Sequence, residues 1–326
     1  MSKNSRLQTA LDQGAFEFSG PIAVLRPPAD YDLPVAPDQV LIEHTFKPDC
    51  DAWDRRGYQV MPKASPAEAM IVVLPRAKAL ARDMVARACN LSSGIVIIDG
   101  QKTDGADAVF KECRKRLGDL PSIPKAHGRL FWFDADAAKG KFDDWLVPDP
   151  ARGDHGYYTT AGVFSDGQVD RGSALLVDAL PPKLFGRVAD LGAGWGYLSL
   201  AALKYEKVKS VDLVEAEALA LDCARLNVTD ERAHFHWADA TTFAPSDPYD
   251  TIICNPPFHT SRAADPALGR AFIAAAARML KPSGHLWLVA NRHLPYERHL
   301  KDTFRNGEEL YGDNSFKLFH ASRPKR

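Results

Sequence analysis

A glycine-rich segment near the middle of the chain has the residue types and spacing of a loop that binds a small ligand. An apolar run ends at Asp190, is followed by Gly192, Gly194 and Gly196, and leads into a helical pattern. Glycines at a strand-to-helix turn let the backbone bend sharply and let a ligand approach without a Cβ in the way. The order is DxGxGxG rather than the dinucleotide pattern GxGxxG, because Tyr197 stands where the last glycine would fall. The carboxylate before the first glycine favours a ligand with an ammonium group over one with a pyrophosphate; a glycine turn without any ligand is the alternative.

Two more acidic residues follow the glycine loop, each near the end of the next predicted strand. Glu215 ends one apolar run, and Asp239 follows the run at 234–237. A carboxylate at Glu215 can accept hydrogen bonds from both hydroxyls of a ribose, and Asp239 can accept from an adenine amino group. Each acid alone is more often a solvated loop residue or a helix cap. Three of them in order, at successive strand ends, predict a site for S-adenosylmethionine, which carries an ammonium and a sulfonium but no phosphate.

A second candidate site follows the apolar run at 251–254, where Asn255, Pro256, Pro257 and Phe258 stand together. An exocyclic amine on a planar base is a poor nucleophile, because its lone pair is conjugated with the ring. The side-chain oxygen of Asn255 and the carbonyl of Pro256 can accept from such an amine and aim its lone pair at a methyl donor, while Phe258 offers a face for stacking. An Asn-Pro turn that only closes a strand is the alternative. The NPPF segment is predicted to lie at the carboxyl edge of an α/β sheet, after a donor loop, and open α/β sheets bind ligands at that edge. This position favours methylation of a planar amine, a reaction that requires neither a metal nor a covalent intermediate.

The charge balance excludes a protein that grips nucleic acid by bulk positive charge. The chain has 326 residues, with 41 Lys+Arg, 42 Asp+Glu and a formal net charge of −1. Residues 1–150 carry 20 basic and 21 acidic side chains, and the remainder carry 21 of each, so neither half is basic. Two short basic segments, 111–116 and 323–326, are candidates for local RNA contact; the first is more often the solvated face of a helix, and the second can be disordered.

Cysteine usage and hydropathy predict a cytoplasmic protein. The five cysteines are scattered without CxxC spacing, which argues against a zinc site and against a disulfide framework. No apolar run approaches the roughly eighteen residues that a membrane span needs. The first eighteen residues lack the apolar core of a signal peptide.

Short apolar strands alternate with helical patterns in both halves of the chain, which is typical of parallel α/β sheets. The predicted strands lie at 69–74, 94–99, 188–191, 211–214, 251–254, 285–290 and 316–320. The predicted helices lie at 78–89, 106–117, 197–204, 218–227, 267–280 and 294–304. A stretch rich in Asp, Pro and Gly at 143–156 is typical of a linker. We therefore predict two α/β domains, residues 1–150 and 151–326.

These motifs together resemble the class I methyltransferases of the NPP[FY] type, and more narrowly the rRNA guanine-N2 methyltransferase family of RsmC and its large-subunit relative RlmG. The resemblance rests on YYTTAGVFS at 157–165, DRGS at 170–173, DLGAGWG at 190–196, NPPFH at 255–259 and VANRHLPYE at 289–297. It covers the C-terminal half nearly end to end, and the segments at 74–80 and 94–102 extend it into the first half. The resemblance implies two tandem Rossmann-like class I methyltransferase domains. The N-terminal one is expected to be degenerate and to serve substrate recognition or stability, and it has no DxGxGxG.

The resemblance also implies roles for individual residues. Asn255, Pro256, Pro257 and Phe258 are expected to position the target amine. The donor is expected to be held by residues at three strand ends, namely Asp190, Gly192, Ala193, Gly194, Gly196, Glu215, Ala216, Asp239, Ala240 and Asn255. Phe164 is expected to close over the donor or the base, with a packed loop aromatic as the alternative. Ala193 and Trp195 depart from the family pattern, and Trp195 is expected to press on the donor or cap its pocket.

The leading hypothesis is methyl transfer from S-adenosylmethionine to the N2 amine of a guanine in rRNA, most readily 16S rRNA of the small subunit. The product of the donor is S-adenosylhomocysteine, no metal takes part, and the partner is rRNA or a ribosomal subunit rather than a membrane. Methylation of adenine N6 or of a glutamine amide, or a non-catalytic rRNA-binding assembly factor, are the alternatives. A monomer is favoured.

His259 and His293 are expected to be structural or to contact RNA, and Arg292 to contact a phosphate or lie in a solvated loop.

Overall fold

The chain forms two compact units. The computed structural model describes residues 5–148, 150–163, 168–257 and 266–325. The division falls between Met1–Asp149 and Pro150–Arg326. Each unit is an α/β structure built around its own sheet.

The first unit alternates strands and helices around a seven-stranded sheet within the described residues. Its strands are β1 (Ile22–Leu25), β2 (Val40–Glu43), β3 (Gln59–Met61), β4 (Ala67–Val73), β5 (Ser92–Gln101), β6 (Ser122–Lys125) and β7 (Gly128–Asp134). Its helices are α1 (Arg6–Asp12), α2 (Lys47–Arg55), α3 (Lys78–Leu91), α4 (Ala106–Leu117) and α5 (Ala135–Ala138).

The second unit opens with a small two-stranded hairpin and continues into its own seven-stranded sheet, again counted over the described residues. The hairpin is β8 (Ala151–Arg152) and β9 (Tyr158–Thr159). The sheet strands are β10 (Gly186–Leu191), β11 (Val208–Glu215), β12 (Ala233–Trp237), β13 (Tyr249–Cys254), β14 (Leu280–Asn291), β15 (Phe304–Gly312) and β16 (Phe316–Pro324). The helices are α6 (Arg171–Ala179), α7 (Tyr197–Leu203), α8 (Ala218–Asn227), α9 (Pro266–Met279) and α10 (Glu297–Thr303).

The two large sheets have the same topology. The strand order is β3-β2-β1-β4-β5-β7-β6 in the first and β12-β11-β10-β13-β14-β16-β15 in the second. In each sheet the first five strands in this order are parallel, and the last two pair antiparallel. In both, the order reverses at the first strand, which is where an open α/β sheet forms a ligand crevice. The predicted pair of tandem α/β domains is confirmed.

The first sheet differs from the second in the residues that border this crevice. Strand β1 is followed by Arg26-Pro27-Pro28, whereas β10 is followed by the glycine loop. Strand register places Leu25 opposite Val72, as Leu191 lies opposite Cys254. The position of Asn255 is therefore taken by Val73, an apolar residue that offers no side-chain acceptor. The first unit thus has the same fold, without a glycine loop after its first strand and without an Asn at the position of Asn255.

Most of the predicted elements are present, and the misses have a physical reason. Helices α4 and α8 have the predicted bounds, while several strands are longer than predicted. The prediction places no strand before residue 69, so it misses β1, β2 and β3, and it also omits β6 and β7. It also misses β15, whose residues are mostly exposed and lack an apolar period. That strand exists because β16 supplies its backbone hydrogen bonds.

Candidate functional site

The glycine loop joins β10 to α7 at the carboxyl edge of the second sheet. The backbone amides of Gly192 and Ala193 both donate to the carbonyl of Val214 in the neighbouring strand. Gly196 has a φ of +95°, and a Cβ there would come within 2.7 Å of Val228 Cγ2, so the position requires glycine. Gly194 has a φ of +55°, and a Cβ would meet nothing within 4 Å. The loop is thus held tightly at its end, and its middle faces open space that a ligand can occupy.

Asp190 lies beneath this loop rather than at its mouth. Its side chain is fully buried, and its Oδ2 accepts a 2.7 Å hydrogen bond from Ser199 Oγ in the first turn of α7. Its Oδ1 has no hydrogen-bond partner among the described residues. Burial raises the pKa of Asp190 to about 7, and the nearby Glu215 carboxylate acts in the same direction. Asp190 is therefore a buried carboxylate that is paired at one oxygen and unpaired, among the described residues, at the other.

We expect Asp190→Asn to change how stability depends on pH. The folded-state pKa of about 7 exceeds the unfolded value, so the native chain holds a proton that the unfolded chain releases between about pH 4 and pH 7. The parent protein therefore loses stability over that range, by at most about 4 kcal/mol, and no more above it. Asparagine does not titrate. Urea unfolding should show the variant gaining stability relative to the parent from pH 5 to pH 7.5; parallel pH profiles would contradict this.

Glu215 ties the end of β11 to the glycine loop. Its Oε2 accepts from the backbone amide of Gly194 at 2.8 Å, and its Oε1 accepts from the amide of Glu217 at 2.8 Å. Burial raises the pKa of Glu215, and these hydrogen bonds partly offset the effect. Each carboxylate oxygen has a second lone pair, so both remain able to accept from a hydroxyl. Asp212, in the same strand, is instead engaged inside the sheet by Arg187 and Tyr249.

Asp239 shapes the turn after β12. Its Oδ1 accepts from both the backbone amide and the hydroxyl of Thr241, at 2.8 and 2.7 Å. The neighbouring Ala240 is buried, and Ala216, at the end of the adjacent strand, accepts from the indole of Trp237 through its carbonyl. The three strand ends therefore present backbone and carboxylate groups at one edge of the sheet. The proposed roles of these residues toward the donor stay predictions.

Asn255 is anchored by two residues to which the sequence pattern by itself assigns no role. Its Nδ2 donates to Asp170 Oδ2 at 2.8 Å and to Ser173 Oγ at 2.7 Å. Both belong to the start of α6, where Asp170 is the N-cap and also accepts from the Ser173 backbone amide. Asn255 Oδ1 is buried and has no hydrogen-bond partner among the described residues. In the sequence, the only indication that Asp170 and Ser173 belong to the site is that the DRGS segment at 170–173 is part of the family resemblance.

The rest of the NPPF segment is only partly described. Pro256 is buried and Pro257 is exposed, whereas Phe258 and His259 lie outside the described residues, as does Phe164. Cys254 is buried with its Sγ 3.3 Å from the Leu191 carbonyl oxygen, and burial raises the pKa of its thiol. It is a strand residue, as predicted, and not an activated nucleophile.

Trp195 packs inside the second unit instead of capping the loop. Its side chain is 4% exposed and belongs to a cluster with Val163, Ala220 and Cys223. The ring of Tyr157, from the hairpin, lies 4.7 Å away between centroids. This packing holds the ring in place, and whether Trp195 presses on the donor or caps its pocket stays a prediction.

Asn227 connects the hairpin to the glycine loop. Its Oδ1 accepts from the Tyr158 amide at 2.7 Å, and its Nδ2 donates to the carbonyls of Tyr158 and Trp195 at 2.9 and 3.0 Å. We expect Asn227→Ala to cost about 2–3 kcal/mol of stability, because it leaves three partly buried backbone groups without partners. Urea unfolding measures this. Asn90→Ala, which removes one exposed hydrogen bond to Asp143, should cost far less; equal costs would contradict the role of Asn227.

The candidate RNA contacts are largely engaged within the protein. The Arg292 guanidinium donates to the carbonyls of Asp313 and Phe316, and both Arg292 and His293 are exposed, so their roles toward RNA stay predictions. In α4, Arg114 and Arg116 pair with acidic residues of the same unit. The C-terminal segment is not disordered where it is described: β16 continues to Pro324, and the Lys325 amide donates to the Thr303 carbonyl.

The residues present fit a donor with an ammonium group and a ribose. An orphaned buried carboxylate oxygen on Asp190, open space over Gly194 and two accepting oxygens on Glu215 lie within the same loop system. No group of three or more His, Cys, Asp or Glu in the described part of the chain could hold a metal ion. None of the helices that the structure describes is long and apolar enough to cross a membrane.

Comparison with known proteins gives consistent matches. Residues 155–320 match the family model of the methyltransferase small domain. The chain is 30% identical over 262 residues to ribosomal RNA small subunit methyltransferase C of Shewanella amazonensis, covering 77% of this chain and 76% of that one. The homologue of the same name from Hahella chejuensis is 29% identical over 99% of this chain and 100% of its own. Ribosomal RNA large subunit methyltransferase G of Shewanella amazonensis is 36% identical, over 71% of this chain and 62% of its own.

A solved structure agrees in fold. The 16S rRNA N2 G1207 methyltransferase of T. thermophilus, solved with AdoMet and guanosine, superposes with a TM-score of 0.78 and 24% identity. The match covers 95% of this chain and 90% of that one, so it extends over both units. At this identity the likeness establishes the architecture, two tandem methyltransferase-like domains.

Proposed function

The chain belongs to the RsmC/RlmG-like class I methyltransferases, which use S-adenosylmethionine, and from this membership we propose that it methylates the N2 amine of a guanine in 16S rRNA. Ribosomal RNA methylation follows from the names of its relatives, which include both small-subunit and large-subunit enzymes. The small subunit is favoured because the match that spans nearly the whole of both chains is to a methyltransferase C. Guanine N2 is favoured because the T. thermophilus enzyme that shares the two-domain architecture is an N2 methyltransferase of G1207 in 16S rRNA.

The orientation of Asn255 is the observation that carries the proposal. Both hydrogens of its side-chain amide are taken up by Asp170 and Ser173, so only the oxygen is left to meet a substrate. A pure acceptor at the carboxyl end of β13 suits a group that brings N–H donors. An exocyclic amine is such a group, whereas an ionised carboxylate substrate brings no donor and would gain nothing from it.

The donor side of the site is proposed to divide its work among three strand ends. Gly192, Gly194 and Gly196 shape the loop along which the methionine part lies, and the buried Asp190 offers beneath it a side-chain oxygen that is unpaired among the described residues. Glu215 accepts from the ribose hydroxyls, and Asp239 from the adenine amino group. When bound, S-adenosylmethionine supplies a methyl group on a positively charged sulfur.

The protein then acts by positioning and electrostatics. Asn255 Oδ1 and the Pro256 carbonyl accept from the amine of the target base and turn its lone pair toward the methyl carbon. Phe258, by its place in the motif, is proposed to stack on the base. The nitrogen lone pair forms the new N–C bond, the former S–C pair stays on sulfur, and the extra proton leaves the nitrogen for water. No general base is required.

The first unit is proposed to serve RNA recognition or stability, because it keeps the fold without the donor loop. The near-zero net charge predicts contacts that are local and dependent on shape rather than on bulk attraction. We expect the protein to act in the cytoplasm and as a monomer. Its five cysteines are all free and buried, which suits a reducing compartment.

The proposal is tested by deleting the gene and mapping rRNA modifications by mass spectrometry. We expect one N2-methylguanine to disappear from 16S rRNA, and purified protein with labelled donor to restore it on subunits or naked rRNA from the deletion strain. Loss from 23S rRNA would correct the subunit. Loss of an N6-methyladenine or of a methylglutamine would replace the substrate, and an unchanged modification pattern would favour the non-catalytic alternative.

A further inference from the structure

Two residues at the start of α6, Asp170 and Ser173, hold the side chain of Asn255 by hydrogen bonds. Asp170 Oδ2 accepts from the Ser173 backbone amide and from Asn255 Nδ2, both at 2.8 Å. Ser173 is 7% exposed, and its hydroxyl is the second acceptor for Asn255 Nδ2. A Cβ on Gly172 would lie 3.1 Å from Asp170 Oδ2 and 3.0 Å from a ring carbon of Phe316, so the cap is packed closely from that side.

The accepting oxygen of Asp170, which also caps α6, decides which way the Asn255 amide faces. A carboxylate can only accept, so it pairs with the amide nitrogen and repels the amide oxygen. If the amide were rotated by 180°, its oxygen would lie against the carboxylate and its nitrogen would occupy the position of the buried Oδ1. The observed arrangement leaves Oδ1 with no partner in the described part of the chain. An unpaired buried acceptor is costly, and a substrate amine would relieve that cost.

The same contact should also strengthen the acceptor. A hydrogen bond to a charged group is roughly twice as strong as one between neutral groups. Donation from Nδ2 to the carboxylate draws negative charge through the conjugated amide onto Oδ1, as in other chains of polarised hydrogen bonds. During methyl transfer the nitrogen lone pair forms the N–C bond while the S–C pair stays on sulfur, so the amine becomes positive. Its N–H groups then bind Oδ1 more strongly than in the ground state, which lowers the barrier.

We propose that Asp170, together with Ser173, is a positioning residue that orients Asn255 and polarises its amide for transfer to an amine. This inference rests on the proposed function of Asn255. It adds to it a residue that lies 85 positions earlier in the chain and does not itself touch the substrate.

The test compares Asp170→Asn, Ser173→Ala and the control Asp178→Asn, an exposed acid on the same helix. Asparagine caps helices about as well as aspartate and keeps an acceptor for Asn255, so Asp170→Asn should fold and retain the orientation without the charge. With the rRNA that the parent enzyme methylates, we expect its kcat to fall about tenfold, equivalent to about 1.4 kcal/mol. The Kd for S-adenosylmethionine and the Tm should stay near the parent values, and Asp178→Asn should match the parent throughout.

A second measurement reports on the contact without activity. The side-chain NH2 signal of Asn255, assigned by its loss in Asn255→Ala, should be protected from hydrogen exchange in the parent, and less so in Ser173→Ala and Asp170→Ala. An Asp170→Asn enzyme with the parent kcat overturns the inference, as does a loss of kcat matched by equally weaker donor binding or a lower Tm. If the parent enzyme methylates no rRNA, it is the proposed function that fails, and the exchange measurement still judges the contact.

Discussion

Asn255→Ala is expected to lower kcat by about 10³-fold while leaving the Kd for S-adenosylmethionine nearly unchanged. The side-chain oxygen accepts from the target amine, and removing one preorganised group of this kind costs roughly 10²–10³ in kcat. The larger end of that range applies because alanine also leaves Asp170 and Ser173 without the amide that they hold. Single-turnover methylation with labelled donor gives the rate, and calorimetry gives the donor affinity.

A matched control separates this effect from general damage to the second unit. Asn306 Nδ2, on the outermost strand β15, donates to Ser322 Oγ of β16 at 3.3 Å. Asn306→Ala therefore makes the same chemical change away from the end of β13. It should retain the parent kcat. If Asn255→Ala lost donor affinity as strongly as it lost rate, Asn255 would be a donor-binding residue and its assigned role toward the amine would be wrong.

Glu215→Ala is expected to weaken donor binding about 100-fold, the second largest effect. A hydrogen bond to a charged group contributes about 1.5–3 kcal/mol, and Glu215 is proposed to accept from two ribose hydroxyls in competition with water. The substitution also frees the Gly194 and Glu217 amides, which orders the loop less well. The Kd for S-adenosylmethionine should rise, whereas kcat at saturating donor should fall much less.

The control for this variant is Glu206→Ala. Glu206 is an exposed acid in the loop between α7 and β11. It should bind the donor as the parent does. Glu215→Gln is a second test of the same role. Its side-chain NH2 group would replace one carboxylate oxygen and would face the amide of Gly194 or of Glu217, so donor affinity should stay below that of the parent. An unchanged Kd for Glu215→Ala would remove Glu215 from the donor site.

The site is an example of a local signal that long-range contacts complete. The glycine loop, Glu215 and NPPF each follow an apolar strand, so their place at one edge of a parallel sheet could be predicted from spacing alone. The depth of Asp190 could not, because burial depends on what packs above a strand and not on the strand itself. Trp195 illustrates the same limit, since Tyr157 and Val163, which bury it, lie more than thirty residues earlier.

The sequence by itself determined the α/β class, the two tandem domains and the place of the glycine loop and of NPPF at strand ends, because apolar period and glycine spacing are visible within a dozen residues. Tertiary structure alone decided the existence of β15, which depends on its pairing with β16. It also decided which atom of Asn255 is free. That choice comes from the carboxylate of Asp170, which is distant along the chain and adjacent only when α6 packs beside the end of β13. Side-chain orientation is set by electrostatic partners in space, and a linear pattern does not contain them.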